Sequence, residues 1–366
     1  MELDFLNRRR FLNYCAGTIT PLILPSILPL YKSNEIIYPK IPIVDVHVHL
    51  LGSSPLNGCY VSKRFQKSFA VRMSRFFIDF GKGKTPQEED EKYVDRLLRL
   101  VSELPDSWRG ILLPMDGVYD SSGALDYNKT LFFISNDYSL TVATKSGKLI
   151  SASSINPYRK DAIFELERVS SLGAVLVKWI PNTMGINPSD NKLITFYKKM
   201  KDLNMTLLTH TGTEHAVGGA IDQTFGNPKH LILPLEEGVN VVAAHCASGG
   251  GDSNGSYFSQ FLDMLNIFPN LYGDISGLSL LHKTSSLKHL IKNPHYFEKL
   301  CYGSDFPLYF TPATSPFYFL GLISFGKAMK LGRIENDLSR DISTLVTLSV
   351  PNNFFGRGYK AIPKIQ

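Results

Sequence analysis

From Pro42 onward the chain alternates between two patterns. Short runs rich in Val, Ile, Leu and Thr are followed by longer stretches whose apolar residues recur every three or four positions. The short runs fall at 43–49 (Ile-Val-Asp-Val-His-Val-His), 110–114, 149–156, 174–180, 205–210, 240–245, 271–276 and 300–305. Runs of this length and composition read as parallel strands buried on both faces. Between them, 161–170 places Ile163, Phe164, Leu166 and Val169 at helical spacing, and 190–203 does so with Leu193, Phe196, Tyr197, Met200 and Leu203. Weaker helical patterns follow at 256–267 and 286–291. From the third run on, strands begin at 149, 174, 205, 240, 271 and 300, a spacing of one βα unit each. Eight such units predict a (β/α)8 TIM barrel of the α/β class. An open doubly wound sheet would carry a glycine-rich phosphate turn after its first strand; here that strand ends His-Val-His.

Two connections are long: 50–107, which contains a helical stretch at 87–104, and 115–148. Both leave from the C-terminal ends of strands, where barrel active sites sit, so both are expected to wall or cover the mouth. The tail, 317–356, reads as closing helices that end at Asn352-Asn353-Phe354-Phe355-Gly356, and the barrel domain is expected to span 41–358.

Composition fits this picture. A chain of 366 residues suits one barrel with insertions, and 43% hydrophobic with 20% charged residues exclude global disorder. A mean hydropathy of -0.05 excludes a polytopic membrane protein, and four cysteines make no disulfide framework. The net charge of +6 is spread along the chain without a basic run interleaved with aromatics, so a small molecule rather than nucleic acid is the expected partner; a homodimer is compatible with it. Residues 1–32 contain Arg8-Arg9-Arg10-Phe11-Leu12, then a weakly apolar stretch interrupted by Pro21, Pro25 and Pro29. The prolines argue against a transmembrane helix. The pattern reads as a twin-arginine export signal, which places the protein in the periplasm or outside the cell. The competing reading is a basic, apolar N-terminal arm on a cytoplasmic protein.

The candidate chemistry lies at the strand ends. Side chains alternate along a strand, so Asp45, His47 and His49 are expected to share one face near the end of the first. His210 ends the fifth run, His245 the sixth and Asp305 the eighth, with Lys178 near the end of the fourth. Imidazoles and a carboxylate with one position left open suit a catalytic zinc-like ion, which lowers the pKa of bound water to about 7 and supplies hydroxide. Each residue alone is unspecific; the ordered set is what carries the reading. Asp116, Tyr119 and Arg159 follow the second and third runs, where substrate is expected to bind. Arg64, Arg72 and Arg75 lie in the first long connection, and His215 follows His210 closely. Cys246 and Cys301 read as core thiols.

The ordered motifs Asp-x-His-x-His (45–49), Thr-His-Thr-Gly (209–212), Ala-His-Cys-Ala-Ser-Gly (244–249) and Tyr-Gly-Ser-Asp-Phe-Pro (302–307) resemble the amidohydrolase superfamily of metal-dependent barrels. Asn156-Pro157, Val-Lys-Trp-Ile-Pro (177–181) and the terminal Asn-Asn-Phe-Phe-Gly are similar to its amidohydrolase-related branch, which includes aminocarboxymuconate-semialdehyde decarboxylase. The resemblance spans about 41–358. It implies that His47, His49, His210 and Asp305 are metal ligands and that Asp305 doubles as general base. His245 would polarise the bound water or a substrate oxygen, or serve as a further ligand. The implied cofactor is one divalent ion, zinc first, with manganese or a second metal as alternatives. Lys178 would either be carboxylated and bridge two metals or meet an anionic substrate. The implied activity is hydrolysis of a small amide, lactone or ester. Non-oxidative decarboxylation is the alternative, and an exported, non-catalytic metal- or ligand-binding barrel is the third reading. Asp305-Phe306-Pro307 lacks the second histidine that usually closes phosphatase-like barrels, and Lys178 stands where deoxyribonuclease relatives carry glutamate.

Overall fold

Strands form at all eight apolar runs. In the computed structural model, which describes residues 36–67, 83–214, 219–307 and 314–365, β1 (Ile43–His49), β2 (Trp108–Leu113) and β3 (Leu149–Ser151) pair in that order. β4 (Leu176–Trp179), β5 (Thr206–His210), β6 (Val241–Ala244), β7 (Leu271–Asp274) and β8 (Leu300–Cys301) form a second parallel sheet. Both seams between the sheets are hydrogen-bonded. Ser153 N donates to Leu176 O at 2.9 Å and Lys178 N to Ser153 O at 2.7 Å. On the other side Val46 N donates to Tyr302 O at 3.0 Å, Asp305 N to His47 O at 3.0 Å and His49 N to Phe306 O at 2.8 Å. The architecture is therefore the expected (β/α)8 barrel. The expected export segment lies outside the described residues.

Every strand or its immediate extension sends apolar residues inward, most of them small or branched. Val44, Val46, Ile111, Leu113, Ala152, Leu176, Leu208, Val242, Ala244, Tyr272 and Cys301 fill the interior. The opposite faces of the strands pack against the helical layer in a separate cluster that includes Ile43, Val48, Leu112, Val177 and Leu207. This division exposes a break in β1. Strict alternation would set Asp45 beside His47 and His49, but the register shifts between Asp45 and Val48. Val44 and Val46 face inward whereas Ile43 and Val48 face outward. The expectation that Asp45 shares the histidines' face is therefore incorrect: a bulge resets the phase. Asp45 Oδ1 instead accepts from His47 N (3.1 Å) and Ser304 N (2.9 Å).

The helices follow the periodicity. α1 (Pro86–Ser102) starts at a Thr85 cap with Pro in its first turn and Glu88 and Glu89 near its positive end, and it buries Tyr93, Val94 and Leu97. α2 (Asn136–Ala143) lies inside the second long connection, where too few apolar positions recur to announce it. α3 (Ala162–Ser171), α4 (Ile194–Asp202), α5 (Ile232–Glu236), α6 (Tyr257–Ile267) and α7 (Thr284–Lys292) alternate with the later strands. α8 (Phe325–Gly332) and α9 (Asp337–Thr347) follow the last strand. The two long connections hold each other, since Tyr60–Val61 pairs antiparallel with Phe132–Phe133. Among the described residues no helix is long and apolar enough to cross a membrane.

The chain past residue 358, beyond the expected domain limit, packs into the barrel. α10 (Gly358–Ala361) brings Ala361 and Ile362 into the interior cluster, and Thr206 Oγ1, at the start of β5, donates to Ala361 O at 3.0 Å. A Cβ on Gly358 would meet Val44 Cγ1 at 2.5 Å, so only glycine lets this plug approach. Ile362 is fully buried. Its replacement by Ala is expected to cost about 2–5 kcal/mol, read as a lower urea midpoint at unchanged m-value. An unchanged midpoint would place the tail outside the cooperative core.

Candidate active site

The ends of β1, β5, β6 and β8 bring the expected side chains to one mouth. His47 Nε2 lies 3.2 Å from His49 Nε2, 3.6 Å from Asp305 Oδ1 and 3.0 Å from Lys178 Nζ. His49 Nε2 lies 3.2 Å from the same Asp305 oxygen. His47, His245 and Asp305 each offer a ligand atom within 4.8 Å of the others. The His245 ring centroid is 5.2 Å from that of His47 and 5.0 Å from that of His210.

Backbone conformation aims these groups. His245, Cys246 and Ala247 follow β6 with φ of 60, 49 and 52°, and Asp305 has φ 61°. Left-handed conformers of non-glycine residues cost roughly 1–2 kcal/mol each, and such positions concentrate at functional sites. The turn explains why regular pairing of β8 stops at Cys301 although the expected run reaches Asp305. Gly303 lets β8 pass close to β1, because a Cβ there would lie 2.9 Å from His47 Cβ.

Burial sets the charge states. It pushes His47 down to about 4, with the Lys178 ammonium adding to the effect. It pushes His210 down to about 4 and His245 well below the usual histidine range. All three imidazoles are thus neutral at pH 7, the form that ligates metals. Burial also lowers Lys178 to about 8. Burial alone would raise Asp305, but His245, His49 and His47 outweigh it and hold the carboxyl well below its ordinary range.

One atom at the centre has an unmet need. His210 Nε2 is buried without a hydrogen-bond partner among the described residues. Such an orphan costs about 1–3 kcal/mol. A divalent cation would satisfy it, and imidazole nitrogens with a carboxylate oxygen match the ligand chemistry of zinc and its neighbours. His47, His245 and Asp305 lie close enough together that they could hold it, with His49 and His210 beside them.

The other expected residues sort differently. Asp116 is buried, and its carboxylate accepts from Asn156 N (2.7 Å) and Tyr119 OH (2.9 Å) and pairs with Arg159 Nη1 (3.3 Å). Arg159 also grips Asp161 through Nε (2.7 Å) and Nη2 (2.8 Å). The trio is thus brought together, but its polar groups are spent on one another and on the loops after β2 and β3. Arg64 lies exposed in the short helix Lys63–Gln66; Arg72, Arg75 and His215 lie outside the described residues. Cys246 and Cys301 are buried, and burial raises both thiols. Three contributors were not singled out from the sequence. Asp274 and Ser276, at the end of β7, touch His47 and His245. Lys283, just before α7, keeps some solvent contact and lowers His245 and His210. An aspartate within an apolar strand run was the available signal for Asp274; Lys283 ends a three-residue 3-10 turn (Leu281–Lys283) and had none.

The family model for amidohydrolases matches residues 44–331. No curated protein matches the sequence. Among solved structures, the chain is similar to an uncharacterized TIM-barrel protein from Bordetella bronchiseptica (17% identity, covering 84% of this chain and 99% of that one, TM-score 0.51). It is also similar to 5-carboxyvanillate decarboxylase from Sphingomonas paucimobilis (10% identity, 88% and 99% coverage, TM-score 0.52). At these identities the likeness establishes the fold.

Two outcomes check the geometry. Gly303→Ala is expected to stay folded at a lower melting temperature and to bind Zn²⁺ at least ~10-fold more weakly in chelator competition, because His47 must move. Asp116→Ala is expected to lower the unfolding free energy by about 3 kcal/mol, since it leaves Asn156 N, Gly117 N and Tyr119 OH without their acceptor. Unchanged stability with only a raised KM would return that trio to a substrate role.

Proposed function

The chain belongs to the amidohydrolase family, and on that basis we propose that it is a metal-dependent hydrolase of a small amide, lactone or ester. One observation carries the reading: His47, His245 and Asp305 offer ligand atoms within 4.8 Å of one another, and His210 Nε2, on the ring next to His245, is buried without a hydrogen-bond partner among the described residues. His47, His49, His210 and Asp305 would hold one divalent ion, with zinc the best match to the donors and His245 next to them. Such an ion supplies Lewis acidity and a lowered pKa for water at the site. The protein's own part is to position and to move a proton. Asp305 would take the proton that the attacking water gives up and pass it to the leaving group. His245 contacts the water or the substrate oxygen. Lys178, a buried cation, meets a negative group on the substrate.

The same Lys178 favours a second reading, non-oxidative decarboxylation, because its ammonium lies 3.0 Å from His47 Nε2 inside the site and would cradle a carboxylate. Export through the twin-arginine pathway is part of the proposal and rests on Arg8, Arg9 and Arg10. Cell fractionation of the protein with and without an Arg8→Lys, Arg9→Lys pair tests it.

Removal of metal with a chelator is expected to abolish turnover and Zn²⁺ to restore it. His47→Ala and Asp305→Ala are each expected to lose at least ~10²-fold in kcat while far-UV circular dichroism stays unchanged. Full activity in either variant overturns the assignment. A panel of lactones, amides, esters and aromatic carboxylates, followed for CO2 release and for ring or bond opening, separates hydrolysis from decarboxylation.

A further inference from the structure

Asp274 and Ser276 stand behind the site rather than in it. Asp274 Oδ2 lies 2.9 Å from His47 Nδ1. Asp274 Oδ1 accepts from His245 N (2.9 Å), from Ser276 N (3.0 Å) and from the Ser276 hydroxyl. The Ser276 oxygen is also 2.9 Å from His47 Nδ1 and 2.8 Å from His245 Nδ1. Finally, His245 Nδ1 lies 2.7 Å from Ser276 O.

Donors and acceptors can be counted around this hub. A hydroxyl has one proton and two lone pairs. Asp274 Oδ1 already receives two backbone N–H groups, so it acts as acceptor and takes the Ser276 proton as well. The two lone pairs of Ser276 then face His47 Nδ1 and His245 Nδ1, and each nitrogen must carry a proton to meet one. A second set of contacts requires the same thing independently. His47 Nδ1 faces a carboxylate oxygen and His245 Nδ1 a backbone carbonyl, and both are acceptors. The opposite tautomer of either ring would set its lone pair against an acceptor oxygen and leave one lone pair of the Ser276 hydroxyl without a donor. His210 stands apart from the hub; its Nδ1 faces Glu214 Oε2 at 3.4 Å.

We propose that Asp274 and Ser276 form one positioning pair that locks His47 and His245 together as Nδ1–H tautomers, so that both turn a bare Nε2 to the reaction centre. For His47 this secures ligation, a frequent job of a carboxylate behind a metal-binding histidine. For His245 it assigns a role. A bare, neutral Nε2 accepts: it ligates a cation or takes the hydrogen of a water or hydroxyl. It does not donate to a substrate carbonyl. The assignment deepens the metal-dependent reading of the same site and rests on it for the functional consequence alone, because the tautomers are a property of the metal-free protein.

The test uses the full chain labelled with ¹⁵N-histidine, in metal-free form at neutral pH. Long-range ¹H–¹⁵N spectra give the tautomer of each ring, with peaks assigned through His47→Gln and His245→Gln. Both rings are expected to show a protonated Nδ1. A protonated Nε2 on either ring in the wild type overturns the proposal without any variant. In Asp274→Asn the amide oxygen should stay on the two backbone N–H groups, which turns the amide NH2 to His47. That variant is expected to switch His47 to the Nε2–H form, leave His245 unchanged and weaken Zn²⁺ binding at least ~10-fold in chelator competition. Unchanged tautomer and unchanged Zn²⁺ affinity in a folded Asp274→Asn overturn the positioning role. If Asp274→Asn does not fold, the wild-type spectrum still decides. Failure to find any hydrolysed substrate bears on the proposed function and leaves the tautomer result standing.

Discussion

The mouth of this barrel depends on β1 lying against the chain that follows β8. Three backbone hydrogen bonds cross that seam, from Val46 N, Asp305 N and His49 N. Asp45 Oδ1 adds a side-chain clasp by accepting from His47 N and Ser304 N together. These contacts close the sheet on itself and set His47, His49 and Asp305 side by side. Asp45 is fully buried, and burial raises its carboxyl to about 6, so the clasp is built at an electrostatic cost. A bulge in β1 serves the same end. It lets two valines fill the interior below while two histidines rise above them.

Several local rules are broken within this small volume. Residues other than glycine take left-handed conformations, polar atoms are buried without partners, and a lysine sits beside an imidazole with no exposure to speak of. Each departure costs roughly 1–3 kcal/mol. The rest of the chain offsets them with an inner plug closed by Ile362 and an outer layer of amphipathic helices. Strain gathered at one place on a well-packed scaffold is the expected form of a site that holds a reactive arrangement ready.

Polar residues near the mouth fall into two kinds. Asp116, Tyr119 and Arg159 satisfy one another and fasten loops. His47, His210 and His245 are each met at Nδ1 from behind, which leaves Nε2 for the centre. His47 is held by Asp274, His210 faces Glu214, and His245 is held by Ser276. The difference lies in where the hydrogen-bonding capacity remains, and residue type does not reveal it. Arg159 looks from the sequence like a cation waiting for a substrate, yet its guanidinium is committed to Asp116 and Asp161.

The repeating units, the barrel and the ligand-type residues were legible in the sequence, because hydrophobic periodicity and residue order are local properties written along the chain. β1 forms at Ile43–His49, as its pattern predicts, and α1, α3 and α6 lie within two residues of expectation. Which polar groups remain free was settled by folding. Asp45 left the histidines' face because β1 pairs with two neighbours and slips in register against one. Asp274 and Ser276 became partners of His47 and His245 because closure brings β7 behind them, and no spacing in the chain encodes that contact. Residues past 358 joined the core because the barrel has a lower opening to fill, which exists only once all eight strands have met.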